Sequence, residues 1–230
     1  MRRALIFPSL SLLLIAALPT PFGGWAVITV HDVPEYLEAG RPTTIAFTVR
    51  QHGQEPMDGL SPTVTVRQRS DRRVRGAREV AARPAGARGR YEAVLGPADT
   101  GSVELTIDAN WHTARIALMP IPVVAAGARP RPLPAADFGR QLFVAKGCVS
   151  CHAKRDDRVM LARGAPAIGP DLTGRGFAAD WLAAKLADPA RNRVRFNEYV
   201  AMPDLGLNQR EIGALVAYLN RQPEAVTATK

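Results

Sequence analysis

Cys148-Val149-Ser150-Cys151-His152 is the stretch that decides how the second half of this 230-residue chain is built, and it contains both cysteines of the sequence. A structural zinc site would want four protein ligands, usually two pairs, yet the remaining histidines, His31, His52 and His112, lie far upstream. A redox dithiol of the thioredoxin kind needs its Cys-x-x-Cys at a strand-to-helix junction among alternating strands and helices, and that context is missing here. The run does suit covalent haem attachment. Each thiol can add across one porphyrin vinyl group while the adjacent imidazole comes up under the ring to bind iron. The pattern therefore predicts one covalently bound haem c, held by Cys148, Cys151 and His152.

Three helices are expected around this run. Asp137 can cap a first helix whose apolar face is Phe138, Leu142 and Phe143, and Gly147 can stop it in a left-handed turn just before Cys148. Ala178 to Leu186, carrying Trp181, Leu182 and Leu186, predicts a short helix ending before Pro189. In the last, Asn208 and Glu211 form a capping pair ahead of Ile212, Leu215, Val216 and Leu219 at helical spacing.

From about Asp137 to Gln222 the sequence resembles the small single-haem cytochrome c family. The resemblance implies an all-α domain in which Gly139 and Phe143 of the first helix meet the last helix at a close crossing, with Tyr218 as the aromatic partner. It implies that Gly169-Pro170-Asp171-Leu172 is the loop whose proline carbonyl, that of Pro170, accepts the proximal imidazole N–H and so orients the iron ligand. A Gly-Pro pair by itself is only a turn. The resemblance further makes Met202, in Ala201-Met202-Pro203-Asp204, the sixth iron ligand, so that His152 and Met202 bind the metal. Met160 is the rival, but it follows His152 by only eight residues, a short path to the opposite haem face. His/Met ligation raises the reduction potential and leaves no open iron position, which favours electron transfer over enzymatic chemistry. The sequence departs from the family pattern in Ala153 to Ile168, which is long and made basic by Lys154, Arg155, Arg158 and Arg163. With Arg191, Arg193 and Arg195 these could rim the haem edge and steer an acidic redox partner, or simply be solvated.

Upstream the pattern changes. Val27 to Val33, Thr43 to Val49, Thr63 to Arg69, Arg78 to Ala82, Tyr91 to Leu95, Ser102 to Ile107 and Ala114 to Met119 alternate apolar and polar residues between turn signals. Seven strands in an antiparallel, immunoglobulin-like β-sandwich over residues 27–126 are expected. Gly89-Arg90-Tyr91, followed by Gly101-Ser102-Val103, resembles the paired late strands of FixH-like and YtkA-like periplasmic domains, in which a Gly-x-Tyr strand turns into a Gly-x-Trp strand. Val103 replaces the aromatic residue here. Pro130, Pro132 and Pro134 favour an extended, semi-rigid spacer over 127–135, ahead of the haem domain at 136–223 and a disordered tail at 224–230.

Residues 1–26 have the layout of a secretory signal: Arg2 and Arg3, an apolar stretch from Leu5 to Leu18, and small residues up to a cleavage point after Ala26. An uncleaved anchor is the minor alternative, since Pro8 and Pro19 break the run. Export would bring the chain to the periplasm, where haem c is attached. The formal charge of +9 would fall by two with the leader. Export removes nucleic acid from the possible partners and leaves an acidic redox protein or a membrane-associated complex. The leading expectation is a periplasmic one-electron carrier, with the sandwich docking it to a larger redox complex. A haem sensor or peroxidase-like enzyme would need a displaceable sixth ligand. A metal-handling or oxidase-assembly module would draw on His31, His52, Met57 and His112 as copper ligands.

Overall fold

A computed structural model of the chain describes residues 24–70, 73–74, 76–96, 98–157, 168–190 and 201–221. The expected leader up to residue 23, the tail, Met160, Arg158, Arg163, Arg191, Arg193 and Arg195 lie outside them. The N-terminal part is two packed β-sheets, consistent with an immunoglobulin-like domain, and the C-terminal part is helical.

Strands β1 (Ala26–Val30), β3 (Thr43–Gln51), β9 (Arg90–Leu95) and β8 (Arg83–Pro84) lie side by side in the first sheet, with β4 (Glu55–Pro56) also on β3. The second sheet runs β2 (Leu37–Glu38), β12 (Ile121–Val124), β10 (Gly101–Asp108), β5 (Thr63–Ser70), β6 (Arg73–Val74), with β7 (Arg78–Ala81) on β5 and β11 (Arg115–Ala117) on β10. Alternation sets the inner faces: Ile45, Phe47 and Val49 of β3 and Tyr91, Ala93 and Leu95 of β9 meet Val103, Leu105 and Ile107 of β10.

Each of the seven expected strands has a counterpart, and the structure adds β12 and four two-residue strands. Pro120 and Pro122 hide β12 from a sequence reading, since proline cannot donate to a ladder; Pro122 is tolerated because it is exposed and stands opposite Ser102. Two expectations are corrected. The sandwich is not wholly antiparallel, because β2 pairs β12 in parallel. β1 and β2 belong to opposite sheets, and the chain crosses between them through Asp32, at φ 38°, and Pro34. The late strands β9 and β10 are not paired with each other either. Their connection passes from one sheet to the other, so the motif at Gly89 to Val103 is a crossover.

The helices are α1 (Ala135–Ala145), α2 (Ala179–Ala187) and α3 (Gln209–Leu219). α3 starts with a full capping box: Asn208 accepts from the Glu211 N–H and the Glu211 carboxylate accepts from the Asn208 N–H. At α1 the Pro134 carbonyl, not Asp137, receives the first helical N–H groups, of Asp137 and Phe138. Asp137 sits inside the first turn and pairs with Arg221 beyond α3. At the α1–α3 crossing a Cβ on Gly139 would run into the Ala214 carbonyl, and Phe143 meets Tyr218 with ring centroids 5.6 Å apart.

The two parts share one contiguous cluster of buried side chains. α1 lies against β1 of one sheet and β11 of the other, covering an edge that would otherwise offer unpaired backbone. Glu35 ties three pieces together: its carboxylate accepts from the Leu133 N–H at 2.7 Å and pairs with Arg210, whose guanidinium lies 4.5 Å from the Phe138 ring centroid. Ala26, the expected cleavage point, is built into β1 opposite Gln51, and the Trp25 carbonyl accepts from the His52 N–H.

Candidate functional site

α1 ends where Gly147, at φ 84°, turns the chain left-handed, as a Cβ there could not do without strain. The next residues, Cys148–Ser150, form a single 3₁₀ turn, and the Cys148 carbonyl accepts from the N–H groups of both Cys151 and His152. Positions three apart on such a turn share a face, which is the spacing two thioethers to one porphyrin require. Burial pushes both thiols up to about 12. That is opposite to the lowered thiol of a redox Cys-x-x-Cys, and it disfavours thiolate chemistry at these positions.

His152 Nδ1 lies 2.9 Å from the Pro170 carbonyl oxygen. A carbonyl can only accept, so Nδ1 carries the proton and Nε2 keeps its lone pair. Burial pushes the imidazole below its ordinary value, against the opposing effect of the Pro170 bond, and so favours the neutral ring a metal needs. The backbone behind it is stitched together: Gly169 N–H donates to Cys151 O at 3.0 Å and Leu172 N–H to Ala153 O at 2.9 Å. Gly169 is flush with the imidazole, and a Cβ at that position would run into the ring. Two thiols on one side and an imidazole with Nε2 free are the donor set for a thioether-bound haem with a histidine ligand, and the residues fit that group.

Met202 is half-buried and packs against the shared core. Its loop is shaped by Asp204, which accepts from the Gly206 N–H, and by Gly206 at φ 61°. Lys154 corrects the expected basic rim. It is 2% exposed, paired with Asp156 at 2.9 Å and 5.7 Å from the Tyr218 ring centroid, so it faces inward. Arg155 is exposed and paired with Asp171. Sequence reasoning missed Lys146 and Glu211, which form a buried ion pair at 2.7 Å between the end of α1 and the start of α3. The capping position of Glu211 was legible, its second oxygen's partner was not.

The copper candidates are not gathered. His31 bonds Thr48 at 2.7 Å, His52 lies against Trp25, His112 against Trp111, and the Met57 carbonyl accepts from the Tyr91 hydroxyl. Among the described residues no three His, Cys, Asp or Glu side chains group as metal ligands. Nor is any described helix long and apolar enough to cross a membrane.

No curated protein matches the chain. Among solved structures it is similar to the Escherichia coli adhesin FdeC, at 18% identity and TM-score 0.32 over 44% of this chain and 30% of that one. It is similar also to domains 4 and 5 of the surface-layer protein SbsC (20%, TM-score 0.30, 43% and 51%) and to a superoxide reductase, neelaredoxin, from Ignicoccus hospitalis (18%, TM-score 0.28, 43% and 80%). Likenesses this low carry no argument about function. The helical part is different: residues 136–222, the span in which the two thiols, His152, Pro170 and Met202 lie, match the cytochrome c family model.

Proposed function

We propose that this chain is an exported electron carrier with a single haem c, attached through Cys148 and Cys151, ligated by His152 and Met202, and exchanging one electron at a time with a larger redox complex. The family match supports haem binding and electron transfer. The observation that carries the reading further is the His152–Pro170 contact, which fixes the tautomer and leaves Nε2 as the donor. The haem, when bound, supplies the one-electron couple. The chain's part would be to hold it: Cys148 and Cys151 would prevent dissociation, Pro170 and Gly169 fix the His152 imidazole, and Met202 would supply a second ligand to the iron. A site closed in this way has no place for a substrate. The sandwich then serves as scaffold or docking surface, and an acidic or membrane-associated partner suits the basic charge.

Carbon monoxide distinguishes a closed site from an open one. The reduced protein is expected to bind it slowly and incompletely. Rapid, stoichiometric binding would move the assignment to a sensor or a peroxidase-like enzyme.

A further inference from the structure

The outer face of β1 and the tip of the β3–β4 hairpin touch the helical part at two places, the turn that leads into Cys148 and the loop that carries Met202. In β1 every residue is buried although the strand lies at the edge of its sheet. Ala26, Ile28 and Val30 belong to the shared core, so by alternation Val27 and Thr29 face the other way. They face the turn that leads into Cys148: Thr29 Oγ1 donates to Lys146 O at 3.4 Å, and a Cβ on Gly147 would sit 2.6 Å from both Val27 Cγ1 and Ile28 O.

The second contact falls on the Met202 loop. The hairpin tip His52-Gly53-Gln54 is tightly wound, with His52 at φ 53° and Gly53 at φ 74°. Gly53 is buried between two exposed neighbours because the Pro203 ring covers it. A Cβ there would lie 3.3 Å from Pro203 Cγ and 3.4 Å from Val27 Cγ2. Gln54 Nε2 donates to Ala201 O at 3.0 Å. Asp204 lies near enough to Arg50, on the same face as Val27, to favour its charge. Residues 201, 203 and 204, which bracket Met202, are therefore each engaged by the β3–β4 hairpin, while the neighbouring strand β1 backs the cysteine turn.

We propose that the hairpin tip His52–Gln54 is a clamp on the Met202 loop, so that the sandwich would govern how readily Met202 is displaced as a ligand of the bound haem. Gln54 is a positioning residue in this scheme. The inference rests on Met202 being the sixth ligand. A methionine on a loop leaves a metal when the loop moves, and loop movement must first break the Gln54–Ala201 bond and lift Pro203 off Gly53. The sandwich is then part of the redox site's rigidity as well as a scaffold.

The test uses the full-length haem-loaded protein and its Gln54→Ala and Gln54→Glu variants, the second keeping shape but losing the N–H donor. Imidazole is titrated into the oxidised protein while the far-red sulfur-to-iron absorption band is followed. Both variants are expected to lose the band at about three- to tenfold lower imidazole concentration, the worth of one hydrogen bond. Glu55→Gln, on the same hairpin, should match the wild type, and far-ultraviolet circular dichroism should be unchanged throughout. Equal imidazole affinity in wild type and both Gln54 variants would overturn the clamp and leave the Met202 assignment standing. A wild-type protein with no such band would overturn both.

Discussion

His31 sits where the sandwich meets the end of α1, bonded to Thr48 and surrounded by cations. Burial pushes its imidazole below the ordinary value of 6.5, and Arg90, Lys146 and Arg50 push the same way against Asp32. A histidine with a lowered folded-state value is neutral in the fold. Its contribution is present above pH 6.5 and is lost as the pH falls from there through the lowered value. His31→Gln should therefore flatten the decline of unfolding free energy below pH 6.5, measured by denaturant titration across pH. An identical slope in the variant would show that His31 does not titrate with unfolding. At this scale His152 was legible because its chemistry is local to five residues. Lys154 was not: a lysine in a basic stretch reads as solvated, and its inward position depends on Tyr218, which only the tertiary fold brings near.

The helices were readable where side chains do the capping and unreadable where the backbone does. Asn208 and Glu211 announce α3, whereas α1 is started by the Pro134 carbonyl, leaving Asp137 for a pairing with Arg221. The strands follow the same logic, with β12 concealed by its prolines and β2 by its parallel partner. What locks α1 to α3 beyond their apolar crossing is Lys146 against Glu211, at 5% and 9% side-chain exposure. Glu211 spends one oxygen on Lys146 and the other on the Asn208 N–H, so removing the cation strands a buried carboxylate. Lys146→Met should cost about 3 kcal/mol, read as a lower denaturant midpoint with unchanged slope. A loss below about 0.5 kcal/mol would mean that the pair is worth no more than an exposed one.

On the scale of the whole molecule, the two parts meet through buried side chains as well as through the proline-rich stretch. The core is continuous, α1 covers a sandwich edge, and Glu35 joins the segment before α1 to α3. None of this was readable from composition, because each contact pairs residues far apart in sequence. The haem-binding pattern, by contrast, was visible at once, and its match to the cytochrome c family covers the helical part alone. The proposed carrier role requires that Met202 and His152 both serve as ligands to the haem iron. The most direct test is the far-red sulfur-to-iron band of the oxidised protein, compared between wild type and Met202→Ala. The band is expected in the wild type and is expected to be lost in the variant, with haem still covalently attached. A wild-type protein without the band, or a variant that keeps it, would show that Met202 is not a ligand of the iron.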